Sequence, residues 1–263
     1  MKVVELIKIV NQICPFEDAF EDDKVSLLIG AGTNTVSGVV VSHDLDEATL
    51  KYCIKNKINT VISYHPATYR QFENLNEDLM LSKISLNYYK ENINVISIHT
   101  AQDVSNDCNA DTLAKLFDLK NIKIFGITSE EKGVGRIGDI NKVDSDSLRI
   151  TIENKLSTKV VRTNQYFNNQ KNIQSIAFVP GSGTQFLEEI LGKVDVFITG
   201  DVSHHHFLLA DEYQMGVVQV NHISTEIPGM KNFTDKISES LNTQITYLHN
   251  EYYELTLFIK QLN

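Results

Sequence analysis

The chain has 263 residues, 42% apolar and 22% charged, a globular balance with room for one large domain or two small interlocked ones. No stretch approaches the roughly 20 apolar residues that cross a bilayer, and a net charge of −10 disfavours nucleic acid as a partner, because the average field repels a polyanion. Met1–Ile13 lacks the apolar core and cleavage site of a secretory signal, and Cys14, Cys53 and Cys108 show no CxxC spacing, so a reducing, cytoplasmic location is expected.

Met1 to Ile13 is predicted to be a helix that stops before Pro15. Gly38-Val-Val-Val-Ser-His43-Asp44 is the first apolar run, followed by helical spacing over Leu45 to Lys55. Thr60-Val-Ile-Ser-Tyr64-His65-Pro66 is the next run, then a helix from about Asn76 to Glu91, then Asn94-Val-Ile-Ser-Ile-His99. Strand, helix, strand, helix, strand predicts a parallel sheet covered by helices. From about Ser129 to Asn172 the chain is more polar and reads as hairpins, with Leu148–Ile152 and Lys159–Arg162 as candidate strands. The first pattern then returns. Ser175–Pro180 is a strand, Gly181-Ser-Gly183-Thr184 opens a helix through Leu191, and Val194–Thr199 is a strand ending in Gly200-Asp201. Phe207–Tyr213 is helical and Gly216–Val220 is a strand; a helix over Asn232–Leu241 and a strand over Tyr253–Ile259 close the chain. The expected fold is α/β, with two interlinked lobes of similar βαβαβ architecture.

Ligands of open parallel sheets bind beyond the carboxyl ends of the strands. The residues at those ends are Tyr64-His65, His99 with Asp103, Asp201 with His204-His205-His206, and His222 with Glu226; six of the eight histidines fall there. If a helix starts after the last strand, His222 and Glu226 share one face at i and i+4 and reach one ion, or they are a solvated helix start. His65 is a metal ligand or a satisfied core histidine, its turn set by Pro66. Asp103 is a helix N-cap or a carboxylate able to bridge two ions. One or two of His204–His206 can face a common site. Imidazoles with carboxylates and no thiolate suit zinc, iron or manganese, and the set suffices for two ions about 3.5–4 Å apart that activate water for hydrolysis.

Two glycine motifs are discounted. Gly133-Val-Gly135-Arg-Ile-Gly138 matches GxGxxG, yet it follows Ser129-Glu-Glu-Lys132 and precedes Asp-Ile-Asn-Lys, not an apolar strand and a helix. It reads as a turn, one that aims Arg136 into a cleft or a plain surface turn. Pro180-Gly-Ser-Gly183-Thr184 is either an anion site made of free amides or a tight connection.

The order Tyr64-His65-Pro66, His99-Thr-Ala-Gln-Asp103, Gly133-Val-Gly-Arg-Ile-Gly138, Pro180-Gly-Ser-Gly183, Thr199-Gly-Asp201 with His205, and Asn221-His-Ile-Ser-Thr-Glu226 resembles the Nif-three-like dinuclear-metal proteins. Many members of that family bear the name GTP cyclohydrolase 1 type 2, and the likeness covers nearly the whole chain. The resemblance implies that His65, Asp103, His222 and Glu226 ligate one or two divalent ions, with Asp103 and Glu226 as bridges. It implies His205 and Asp201 as acid/base or supporting groups, two lobes facing a cleft, and a hexameric ring of like chains. We place the lobes at 1–127 with 221–263, and at 128–220. Tyr64 stands where the family often has a second histidine, and it is a weaker ligand, so a second ion is expected to be held loosely or to be absent. Asp201 stands for the family's usual glutamate, and Asp22-Asp23 for a Trp-Asp. The expected function is a metal-dependent hydrolase on a nucleotide or small phosphate compound, with GTP cyclohydrolase-like ring opening first. A non-catalytic metal-binding regulatory or interaction protein and a two-metal phosphoesterase are the alternatives.

Overall fold

The computed structural model describes residues 1–67, 75–129 and 131–249. Its first elements are helix α1 (Val3–Ile13), strands β1 (Ser26–Ile29) and β2 (Val39–Ser42), helix α2 (Glu47–Asn56), strand β3 (Thr60–Ser63), helix α3 (Met80–Lys90) and strand β4 (Asn94–Ser97). Helices α4 (His99–Val104) and α5 (Asn109–Leu116), strands β5 (Lys120–Ser129) and β6 (Lys132–Val143), and helix α6 (Ser145–Leu156) follow. Then come strand β7 (Arg162–Thr163), helix α7 (Gln165–Asn168), strand β8 (Ile173–Phe178), helix α8 (Leu187–Ile190) and strand β9 (Val196–Thr199). Helix α9 (His204–Glu212), strand β10 (Gly216–Gln219), helix α10 (His222–Leu241) and strand β11 (Tyr247–Leu248) complete the order. Among the described residues, no helix is long and apolar enough to cross a membrane.

The chain divides into two compact units, Met1–Ser105 with Met230–Asn250, and Asn106–Gly229. The lobes placed from sequence change over at 127 and 220; these units change over at 105 and 229, the latter inside α10. In the first unit the sheet order is β1-β4-β3-β2-β11. β4, β3, β2 and β11 are parallel and β1 is an antiparallel edge. Successive side chains of a strand face opposite ways. Val41, Ile62 and Ile96 thus pack with Val3, Leu6 and Val10 of α1 and with Met230, Phe233 and Ile237, while Val40, Val61 and Val95 pack with Leu50, Cys53 and Tyr88 on the other face. Burial on both faces explains why these strands read as unbroken apolar runs. α2 starts where Asp46 accepts the Thr49 amide at 2.7 Å and ends at Lys57, which takes the left-handed conformation at φ 57°.

The second unit has the order β5-β6-β8-β9-β10-β7. β8, β9 and β10 are parallel, whereas β5, β6 and β7 join antiparallel. Its core gathers Leu148, Ile152 and Leu156 of α6, Phe167, Ile176, Phe178, Val196, Ile198 and Val218. Both units contain the expected βαβαβ run, β2-α2-β3-α3-β4 in one and β8-α8-β9-α9-β10 in the other.

Several expectations are corrected. Leu148–Ile152 is not a strand: it lies within α6, which is capped by Asp144 accepting the Ser147 amide at 2.8 Å. The Gly133–Gly138 motif is not a turn but the centre of β6, where a side chain at 135 would meet the Phe125 ring at 2.3 Å. α3 begins at Met80, α9 begins at His204 rather than Phe207, and the expected 232–241 helix is the end of one helix, α10, that starts at His222 and contains Pro228. Of the expected Lys159–Arg162 strand only Arg162 pairs. The expected strand Tyr253–Ile259 lies outside the described residues.

Candidate metal centre

In the first unit, β2, β3 and β4 end in register, with Ser42 beside Ser63 and Ser63 beside Ser97. The ladder continues past them. The Tyr64 amide donates to Ser42 O at 2.9 Å, His65 to His43 O at 2.9 Å, Ile98 to Ser63 O at 3.0 Å and His99 to Tyr64 O at 3.0 Å. Backbone bonding of this kind fixes where each side chain beyond the strand ends begins, so the sheet itself positions His43, Asp44, Tyr64, His65 and His99. The buried Tyr64 hydroxyl donates to Asp103 Oδ1 at 2.7 Å. His65 Nδ1 meets Asp44 Oδ1 at 2.8 Å. Asp103 is the fifth residue of α4, which removes the N-cap reading. One donor atom from each of His43, Asp44 and His65 lies within 4.8 Å of the others, a grouping able to hold a metal ion.

His99 opens α4, and its Nδ1 contacts Asp23 Oδ1 at 2.7 Å. Asp23 also accepts the Thr100 amide at 2.9 Å and the Thr100 hydroxyl. Burial pushes the Asp23 carboxyl up, but its bonds to His99 and Thr100 outweigh that and hold it at about 2.

In the second unit, β9 ends at Thr199 and Asp201 follows with φ 39°, a left-handed conformation that aspartate tolerates better than most residues. β10 ends at Gln219 and α10 starts at His222. Asp201 Oδ2 lies 2.6 Å from His222 Nδ1, and Glu226 Oε1 lies 3.1 Å from His222 Nε2. The i and i+4 pairing expected of a helix start is therefore present, with Glu226 only 3% exposed. Burial would lower the His222 pKa, yet the carboxylates of Glu226 and Asp201 on its two nitrogens raise it to about 10. Asp201 is shifted down in turn, chiefly by its hydrogen bond to His222.

The Pro180–Thr184 loop is a tight connection. Gly181 and Gly183 spend their amides on Thr225 Oγ1 (2.7 Å) and Thr199 Oγ1 (3.0 Å). Gly181 has φ +63°, and a Cβ there would stand 2.3 Å from Glu226 Oε1. Only a residue without a side chain lets the loop approach that carboxylate. Arg136 is buried within β6, where it forms a two-pronged bond to Asp111 (2.5 and 3.0 Å) and donates to Gly133 O and Gly135 O. It thus aims into its own unit's interior.

His205 is exposed on the first turn of α9, with its ring 5.6 Å from that of His204. His206 bonds Ser203 at 2.9 Å and His204 meets Arg162 at 3.4 Å. Among the described residues no hydrogen bond or ion pair joins His205 to Asp201, His222 or Glu226. Sequence reading gave no site role to His43, Asp44 or Asp23, the last noted only as part of Asp22-Asp23 where the family has Trp-Asp. The signal for the first two was available, since His43-Asp44 ends the first apolar run. The donor set fits a divalent metal: His65 and His222 each have Nδ1 held by a carboxylate, so that Nε2 is the nitrogen a metal would take, on His222 in exchange for a proton.

Residues 1–252 match the family model described as Duf34/NIF3 (NGG1p interacting factor 3). The chain is 26% identical over 246 residues to a GTP cyclohydrolase 1 type 2 homolog of Clostridium acetobutylicum, covering 92% of this chain and 91% of that one. It is 26% identical over 254 residues to a homolog of the same name from Methanocaldococcus jannaschii, covering 94% and 99%. Among solved structures, reduced HcgD from Methanocaldococcus jannaschii superposes with a TM-score of 0.79 at 25% identity, covering 94% and 98%. The hypothetical protein SA1388 of Staphylococcus aureus gives 0.82 at 24%, covering 96% and 97%.

Proposed function

Since this chain belongs to the Duf34/NIF3 family, we propose that it is a metal-dependent hydrolase of a nucleotide or small phosphate compound, with GTP ring opening as the first reaction to test. The observation that carries this reading is His222, gripped at Nδ1 by Asp201 and facing the buried Glu226 carboxylate with Nε2. The proposed metal ligands are His65, Asp103, His222 and Glu226, for one or two divalent ions per chain, with zinc, iron or manganese as the metal. A bound ion supplies Lewis acidity toward a carbonyl, phosphoryl or water oxygen. With a carboxylate on each nitrogen the ring carries both protons near neutral pH; an ion would take the place of the Nε2 proton, while Asp201 would keep the one on Nδ1. Tyr64, whose hydroxyl is given to Asp103, orients that carboxylate rather than replacing a histidine ligand. Asp201 and His205 are the proposed proton carriers, Asp201 being the one in contact with the ligand set.

A non-catalytic metal-binding interaction protein is the second reading. Its support is the exposed position of His205, which leaves Asp201 as the one of the two proposed proton carriers in contact with His222. The location proposed is the cytoplasm, supported by three buried cysteines that form no disulfide, and the assembly proposed is a homohexamer. The test is metal per chain and turnover of GTP against a panel of phosphoesters, for wild type and Glu226→Ala. We expect one to two equivalents, a sharp fall in the variant, and metal-dependent GTP turnover. Phosphoester turnover alone would select a two-metal phosphoesterase. Full metal loading with no turnover would select the interaction protein.

A further inference from the structure

We infer that the second unit holds a binding site for a free α-amino acid with a large apolar side chain. The site is a cavity of about 640 Å³, within the roughly 300–1,000 Å³ of small-molecule pockets. All of its lining residues belong to the second unit, and none is a proposed metal ligand.

The backbone shapes this cavity. β6 advances from Asp139 to Val143 while β8 advances only from Ser175 to Ile173, so Ile140, Asn141 and Lys142 form a bulge. A bulge interrupts the ladder and re-aims side chains, here beside the cavity. The connection from α5 to β5 supplies Phe117, Asp118 and Lys120 to the lining. Gly138 lets that connection lie against β6, since a Cβ there would stand 2.8 Å from Leu119 Cβ and 2.9 Å from Lys120 O. The apolar lining is Phe117, Ile140, Val143, Leu148 and Ile176. Phe117, Leu148 and Ile176 are buried and make a floor that an apolar side chain would cover. The charges set the ligand's class. Asp118 is answered by Lys155, 3.5 Å away. Lys120 and Asp139 are opposite one another on β5 and β6 and both exposed, and cross-strand partners share a face. Among the described residues neither makes an ion pair, and Asp139 Oδ2 accepts the neutral Asn121 amide at 2.7 Å. A cation and an anion side by side, neither spent on the other, match the carboxylate and ammonium that an α-amino acid carries on one carbon. An amine alone leaves Lys120 unanswered, and an acid alone leaves Asp139 so.

The test is isothermal titration calorimetry of the full chain with L-phenylalanine and L-leucine, and with the amine and carboxylic acid that correspond to each. We expect at least one amino acid to bind, with its amine and its acid at least tenfold weaker. Lys120→Gln and Asp139→Asn should each weaken that binding at least tenfold. Both side chains are exposed, and an unchanged melting temperature shows that the fold is intact. Because amino acids also chelate metals, the titration is repeated on His222→Ala/Glu226→Ala, which should bind as wild type does. Binding lost there but kept in the Lys120 and Asp139 variants places the ligand at the metal centre and overturns this site. Equal affinity for the amine or the acid overturns the match to a zwitterion. No binding of either amino acid overturns the inference.

Discussion

Asp23 carries a pH dependence of its own. Its side chain is 7% exposed, and its carboxyl sits at about 2 against an ordinary 3.8. A depressed folded-state pKa adds stability that is fully present above about pH 4 and is lost as pH falls toward 2. The shift corresponds to about 2 kcal/mol. Asp23→Asn should therefore lower the unfolding free energy at pH 7 by about that amount, and the gap from wild type should shrink as pH falls below 4. Urea titrations at pH 7 and pH 2.5 measure it, and an unchanged gap refutes the assignment. This residue shows what was readable at the smallest scale. Tyr64 with His65, Asp103, Asp201, and His222 with Glu226 could be located at the carboxyl edges of the two sheets because each set follows an apolar strand. Asp23 could not, because its partners, His99 and Thr100, are 76 and 77 residues away and no local pattern announces them.

Among the elements, α6 shows how a period is misjudged. Leu148, Ile150 and Ile152 alternate like a half-buried strand, but Ile150 is 59% exposed and the buried set is Leu148, Ile152 and Leu156, four apart. The Asp144 cap and that longer spacing decide for helix. β6 was hidden for a related reason: glycines at 133, 135 and 138 look like turn formers, whereas here they make room for β5 and its flank. Between Gly135 and Gly138 sits Arg136, which ties β6 to Asp111 in the first turn of α5. Removing it strands a half-buried carboxylate and frees two carbonyls. Arg136→Ala should cost about 3 kcal/mol, measured as a lower urea midpoint, with the α5 segment losing amide-exchange protection first. Protection lost uniformly over the chain would argue against this local tie.

Over the whole molecule, the pseudo-repeat was readable because both βαβαβ runs bury their strands on two faces. The structure sharpens it: each third strand is followed by a helix that opens on a histidine, His99 or His222, bonded through Nδ1 to an aspartate, with an acid four residues on, Asp103 or Glu226. The additions to the repeat were not readable, since β7 and β11 span two residues each and β1 is an antiparallel edge strand that is only partly buried. One edge bears on assembly. β5 borders its sheet with Ile122, Ile124 and Ile127 exposed, and exposed apolar edge strands invite pairing. If the chain is a homohexamer, light scattering should give about six times the 29.7 kDa chain mass, and Ile124→Lys with Ile127→Glu should lower it if this edge contributes; a monomeric wild type refutes the assembly.

The buried cysteines have a use of their own. Cys14 and Cys53 belong to the first unit and Cys108 to the second, none is disulfide-bonded, and burial pushes the Cys53 thiol up to about 11. A thiol-specific reagent added to the native protein is therefore a clock rather than a label. Each sulfur reacts only when its surroundings open, so three labelling rates, separated by peptide mass, time the breathing of one unit against the other without any probe being introduced.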